Sequence, residues 1–277
     1  MYDDLLIATD GSELASRAAT QGIAIAAAVD ARVHVMAVAE VREGSPGAEQ
    51  ERENCRQFVD AVVAEALDRG VPADAAVRDG RPHDEILAAA DERDVDLLVL
   101  GTHGRTGLRR WLLGSVAIGV IRASRLPVLS VGRSVSVVPR DVDRVLVAAD
   151  GRQQVDAPVR EAIALAETVD ATLYALSVVD DVHSSLPVVL EAFENAAEET
   201  TADVERRATD RGVDVVTAVE RGVPHEVIVD YARDRDVDLL VLGTESRSGL
   251  DRLAMGSVSQ RVVGSAPAPV LTVRQTE

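Results

Sequence analysis

The sequence predicts an α/β protein built from two tandem, doubly wound parallel sheets of five strands each. Three observations predict it. RDVDLLVLGT occurs at 93–102 and again at 235–244, an internal repeat with an offset of 142 residues. Apolar runs of strand length alternate with stretches of helical period along both copies. The strand runs are apolar throughout, which marks strands covered on both faces and therefore parallel pairing. A chain of 277 residues, at roughly 150 residues per domain, fits two domains. The boundaries fall at 1–133 and 143–277, with a short linker near 133–141.

Both copies open on an apolar run, LLIAT at 5–9 and VLVAA at 145–149, that ends at an Asp-Gly turn pair. Small apolar residues at helical spacing follow over 14–29 and 159–169, and then the second strands, VHVMAV at 33–38 and LYALSVV at 173–179. A longer, more polar helix over 49–69 or 191–211 leads to a short third strand at 75–78 or 215–219. Pro82 and Pro224, each followed by His and acid, suit the first turn of a third helix, where a missing N–H costs nothing. LLVLG, a long loop, a helix opening at Gly-Ser and a fifth strand, PVLSV at 127–131 or PVLTV at 269–273, complete each unit. Asp10-Gly11 matches Asp150-Gly151 at an offset of 140, so the second copy gains two residues between its second strand and third helix.

Composition excludes several functions. Lys+Arg is 29 against Asp+Glu 47, a net charge of −18, the wrong field for a general nucleic-acid or anionic-membrane binder. The chain has no lysine, which removes a Walker A loop, a kinase phosphate lysine and any Schiff-base lysine. One cysteine, Cys55, rules out an internal disulfide and a Cys-based zinc cluster and fits a reducing, cytoplasmic setting. No uncharged run approaches the ~18 residues of a spanning helix. Acid excess with arginine as the only strong base also fits the salt-adapted surface of a halophile protein.

In an open α/β sheet a ligand sits at the carboxyl ends of the strands, where the strand order reverses. Two features of the first copy point there. One is Asp10 after the first strand; the other is GTHGRTGLRRWLLGSV at 101–116, which reads G-x-x-G, nine residues, G-S at the mouth of a helix. Glycines let backbone N–H groups approach a phosphate, and a helix start offers unpaired N–H groups and the positive end of a dipole. Arg105, Arg109 and Arg110 lie in this loop with no acid, a local charge of +3 that suits a polyphosphate. His103 reads as a solvated loop residue, and Gly101, Gly104 and Ser115 have bland readings as turn glycines and a helix cap.

This ordered set resembles the universal stress protein family, in the subgroup whose G-x-x-G, nine, G-S/T signature accompanies ATP binding. The resemblance covers nearly the whole chain, twice. It implies an adenine nucleotide alpha hydrolase-like, Rossmann-like fold and ATP, carried with Mg²⁺, as ligand. It also implies that Ala8, Thr9, Asp10 and Val38 hold adenine and ribose. Leu100 and Gly101 line the base or ribose side, and Gly104, Gly114, Ser115 and Val116 take the phosphates. Family members pair through the fifth strand, so the resemblance implies intramolecular pairing of 128–131 with 270–273 and leaves a homodimer open.

The second copy departs from the pattern. Its loop, GTESRSGLDRLAMGSV at 243–258, puts Ser246 where the second glycine belongs, and Glu245 and Asp251 offset Arg247 and Arg252. If that position needs positive φ, serine costs about 1–2 kcal/mol, and its Cβ obstructs the phosphate. Ser12 becomes Arg152. The first copy is therefore expected to bind ATP and the second weakly or not at all. No nucleophile–base pair, His metal pair or G-x-S-x-G elbow is present. The sequence reading is an ATP-binding stress-response protein with little or no turnover. The alternatives are a non-enzymatic scaffold acting through the fused pseudo-dimer and a slow ATP hydrolase.

Overall fold

The computed structural model describes residues 1–41, 44, 46–104, 113–135, 141–150, 156–181, 187–244 and 255–275. It divides into two compact units, Tyr2–Arg140 and Asp141–Glu277, the latter joined by Met1.

In the N-terminal unit, β1 (Asp4–Ala8), α1 (Glu13–Val29), β2 (Arg32–Ala39), α2 (Ala48–Asp68), β3 (Ala73–Asp79), α3 (Pro82–Arg93), β4 (Leu97–Gly101), α4 (Ser115–Ala123) and β5 (Val128–Val131) follow the expected alternation. The strand order is β3-β2-β1-β4-β5, with every one of these pairings parallel. Strand order reverses between β1 and β4, which creates the crevice where a ligand belongs. Contacts join α1 to α2 and α3 to α4, as right-handed crossovers covering the sheet on two sides require. Leu5, Leu6, Ile7, Leu97, Leu98 and Leu129 are fully buried between those layers.

The helix ends have local causes. Ser12 caps α1 by accepting from the Ala15 N–H, 3.2 Å away, and Pro82 occupies the first turn of α3. Asp30 and Asp94 end α1 and α3 with φ of 57° and 53°, a left-handed cap that aspartate tolerates better than most side chains. Their repeat partners Asp170 and Asp236 take the same conformation, at 56° and 49°. The repeat therefore extends to the caps.

The C-terminal unit holds β6 (Arg144–Ala148), α5 (Asp156–Val169), β7 (Thr172–Val179), α6 (Pro187–Thr209), β8 (Val215–Arg221), α7 (Pro224–Asp234), β9 (Leu239–Gly243), α8 (Ser257–Ser265) and β10 (Val270–Val273). Its order, β10-β9-β6-β7-β8, is again wholly parallel and matches the first unit strand for strand. Two elements are longer than periodicity predicts. β3 runs from 73 to 79 and β8 to 221, because both are outer strands whose half-exposed, charged residues weaken the apolar signal. No described helix is long and apolar enough to cross a membrane.

Candidate functional site

The site of the N-terminal unit begins at the end of β1. Thr9 donates its N–H to the Met36 carbonyl at 2.9 Å, which holds it beside β2, and its hydroxyl accepts from the Gly11 N–H at 3.3 Å. Gly11 turns the chain with φ +76°, a conformation that favours glycine. The Ser12 N–H then donates to Asp10 Oδ1 at 3.0 Å, fixing the carboxylate over the turn before α1 starts. Ala8, Asp10 and Val38 are half-buried and Thr9 is buried, so a surface remains open at the carboxyl ends of β1 and β2.

The second half comes from the β4–α4 loop. Thr102 donates to the Val131 carbonyl at 3.0 Å and accepts from the Gly114 N–H at 2.7 Å, which folds the two ends of the loop together. Gly114 is the N-cap of α4 and supplies no side-chain cap. Ile118 is the residue whose N–H pairs back to Gly114, at 3.0 Å. The N–H groups of Ser115, Val116 and Ala117 therefore have no acceptor within the helix. Ser115 is exposed and Val116 half-buried, so this positive helix end faces outward.

The glycines draw the two halves together. A β-carbon on Gly104 would lie 2.5 Å from Asp10 Oδ2, and one on Gly114 would lie 3.1 Å from the Thr102 carbonyl oxygen and 3.9 Å from the Gly104 nitrogen. Gly101 serves a different purpose. Its missing β-carbon would meet the backbone carbonyl carbon of Leu14 at 2.9 Å, so glycine lets α1 sit directly against buried Leu100 and the end of β4. The condition of positive φ raised for this position is not met, since Gly104 is not in the left-handed region; a β-carbon there would instead press on the Asp10 carboxylate.

A model of the universal stress protein family matches residues 1–132 and 141–274. The chain belongs to the universal stress protein family. A universal stress protein of Methanocaldococcus jannaschii is 32% identical over 139 residues, covering 48% of this chain and 82% of the relative. A relative from Staphylococcus aureus is 34% identical over 140 residues, again 48% of this chain and 84% of its own length. The crystal structure of a universal stress protein from Archaeoglobus fulgidus has the same fold across 99% of this chain and 98% of its own, with a TM-score of 0.77 and 20% identity.

The second universal stress protein unit repeats the scaffold of the loop. Thr244 donates to Val273 at 3.1 Å, and Gly256 donates to Thr244 at 2.9 Å. Gly256 caps α8 without a side chain, and Ser257 is exposed like Ser115. Two details differ: Gly256 is buried, and Asp150 is exposed where Asp10 is half-buried. Arg105, Arg109 and Arg110, and on the other side Arg152, Glu245, Ser246, Arg247, Asp251 and Arg252, lie outside the described residues.

His103 corrects a sequence reading. It is buried, 7% exposed, with Nδ1 3.0 Å from Thr102 Oγ1. Cys55 is buried in α2. Two features were not singled out in the sequence. Phe58 of α2 packs over Gly11. Buried His34 of β2 lies between Asp74, 2.6 Å from Nδ1, and Asp4, 2.9 Å from Nε2, with Arg93 Nη1 2.9 Å from Asp74 Oδ1. Asp4 opens β1, so this ionic cluster sits at the opposite end of that strand from Asp10. Among the described residues, no three His, Cys, Asp or Glu side chains are placed to hold a metal ion.

Proposed function

We propose that the N-terminal unit binds ATP and that the protein is a nucleotide-dependent stress-response or regulatory protein with little or no turnover. The observation that carries this reading is the approach of Gly104 to Asp10, where a β-carbon would fall 2.5 Å from the carboxylate. That juxtaposition leaves a cradle of backbone between a carboxylate and an uncapped helix start. A carboxylate accepts from ribose hydroxyls, and the N–H groups of Ser115 and Val116 suit phosphate oxygens. Ala8, Thr9 and Val38 would face the nucleoside, Leu100 and Gly101 would back it, and Gly104 and Gly114 would admit the phosphates. Arg105 would add positive charge.

The Mg²⁺ would arrive with the triphosphate, whose charge it offsets. ATP supplies the charge and the conformational bias. The chain's own residues would bind and orient it, with Asp10 held in place by the Ser12 N–H.

The C-terminal unit is read as weak or silent toward ATP, because Ser246 brings a β-carbon to the position of Gly104 and Asp150 stands exposed. Pairing between the fifth strands within one chain, a cytoplasmic location and a salt-adapted surface belong to the same reading. They are supported by the tandem repeat, the single cysteine and the net charge of −18.

The test is calorimetric titration of the intact protein and its Gly104→Val variant with MgATP. Loss of binding in a variant with the wild-type unfolding temperature supports the proposal. Unchanged affinity in that variant contradicts it.

A further inference from the structure

We propose that Phe58 forms the base-side wall of this nucleotide site, a specificity-determining residue that selects a planar heterocycle over bare polyphosphate. The inference rests on the ATP reading and deepens it. A β-carbon on Gly11 would fall 2.4 Å from Phe58 Cε1, 2.5 Å from Cδ1 and 2.6 Å from Cζ, so the ring occupies the space above the turn that follows Asp10. Gly11 is thus excluded from carrying a side chain twice over, by its φ of +76° and by the ring.

The ring is half-buried. Part of it rests on the turn that follows the half-buried Asp10, and part remains accessible. An apolar aromatic surface offers a phosphate chain nothing, but it adds stacking and apolar contact to a purine. The chain has only two phenylalanines, and the accessible face of this one favours a ligand with a flat face of its own.

The C-terminal unit has no ring at the matching helix position. At the repeat offset of 142, Phe58 corresponds to Thr200, whose hydroxyl donates to the Ala196 carbonyl of its own helix at 2.7 Å. The unit that carries serine in place of the second glycine is therefore also the unit with threonine in place of Phe58.

The experiment compares ATP with inorganic tripolyphosphate, titrated calorimetrically into the intact wild-type chain and its Phe58→Leu and Phe58→Tyr variants, with unfolding temperatures measured alongside. The expected result has three parts. Wild type prefers ATP, Phe58→Leu weakens ATP about tenfold while leaving tripolyphosphate unchanged, and Phe58→Tyr retains ATP affinity. Phe58→Leu that binds ATP as wild type does overturns the inference. So does equal weakening of both ligands, which would mean the ring only holds the turn. Wild type that binds both ligands equally overturns it while leaving the phosphate cradle intact, and this comparison decides even where a variant does not fold. Wild type that binds neither ligand overturns the ATP reading itself, and the aromatic wall with it.

Discussion

Gly104 and Asp10 approach so closely that a β-carbon on the glycine would lie 2.5 Å from the aspartate Oδ2. The neighbour is the end of a side chain, which can move aside, whereas at Gly101 the neighbour is the backbone of α1, with Leu14 C at 2.9 Å. Two glycines of one motif thus have separable roles. Gly104→Ala is expected to displace Asp10 and weaken ATP while leaving the unfolding temperature near wild type. Gly101→Ala is expected to destabilise the fold by about 1–3 kcal/mol through overpacking. Thermal unfolding paired with titration checks both; a reversed pattern would exchange the two assignments.

Arg52 of α2 grips Asp79 of β3 through Nε, 3.0 Å from both carboxylate oxygens, and through Nη2, 2.7 Å from Oδ2. At the same repeat positions the C-terminal unit pairs Glu194 with Arg221, so the attraction is kept with its charges exchanged. Arg52→Glu is expected to lower the unfolding temperature, and adding Asp79→Arg is expected to restore most of the loss. Hydrogen bonds from Arg52 hold the Asp79 carboxyl below the ordinary carboxylate range, and those from Arg56 and then Arg52 do the same for Glu49. A depressed carboxylate contributes fully above its unfolded value and loses that contribution as pH falls through the folded value. Acid unfolding of the wild type compared with Arg52→Glu reads this directly: the wild-type advantage is expected at neutral pH and should fade in acid.

His34 links Asp74 on β3 with Asp4 on β1. In the C-terminal unit the register pairs Tyr174 with Val216, and Tyr174 instead meets Tyr231 edge-on, with ring centres 6.4 Å apart. Truncation by His34→Ala removes the bridge between two partly exposed carboxylates that keep Arg93 and Arg32 as partners, and is expected to cost about 1 kcal/mol, with ATP affinity preserved because the cluster lies at the far end of β1. Denaturant unfolding with parallel titration checks it.

A net charge of −18 with no lysine sets up self-repulsion that salt relieves. The unfolding temperature is expected to rise between dilute buffer and molar KCl. An unchanged midpoint would remove salt adaptation from the account.

The alternation of strands and helices was legible because buried parallel strands are apolar throughout and end at turn pairs, as at Ala8 and Gly101. The repeat carried that reading to the second unit. The outer strands β3 and β8 were shortened in the sequence reading because exposure on one edge dilutes their apolar pattern. At the site, the glycine positions were legible but the reason for them was not: residue type cannot distinguish a left-handed backbone at Gly104 from an approach to Asp10, which comes from a distant strand end. His103 reads as solvated because its loop is polar, yet it is buried beside Thr102. Phe58 and His34 gave no signal, since each acquires its neighbours only when separate elements of the sheet and its helices pack.

The central claim is one ATP site per chain, in the N-terminal unit. The most direct measurement is the stoichiometry of MgATP binding to the intact protein at a salt concentration where it is folded. One equivalent, abolished by Gly104→Val, is the predicted result. Two equivalent sites would contradict the asymmetry between the units, and no binding at all would contradict the nucleotide site itself.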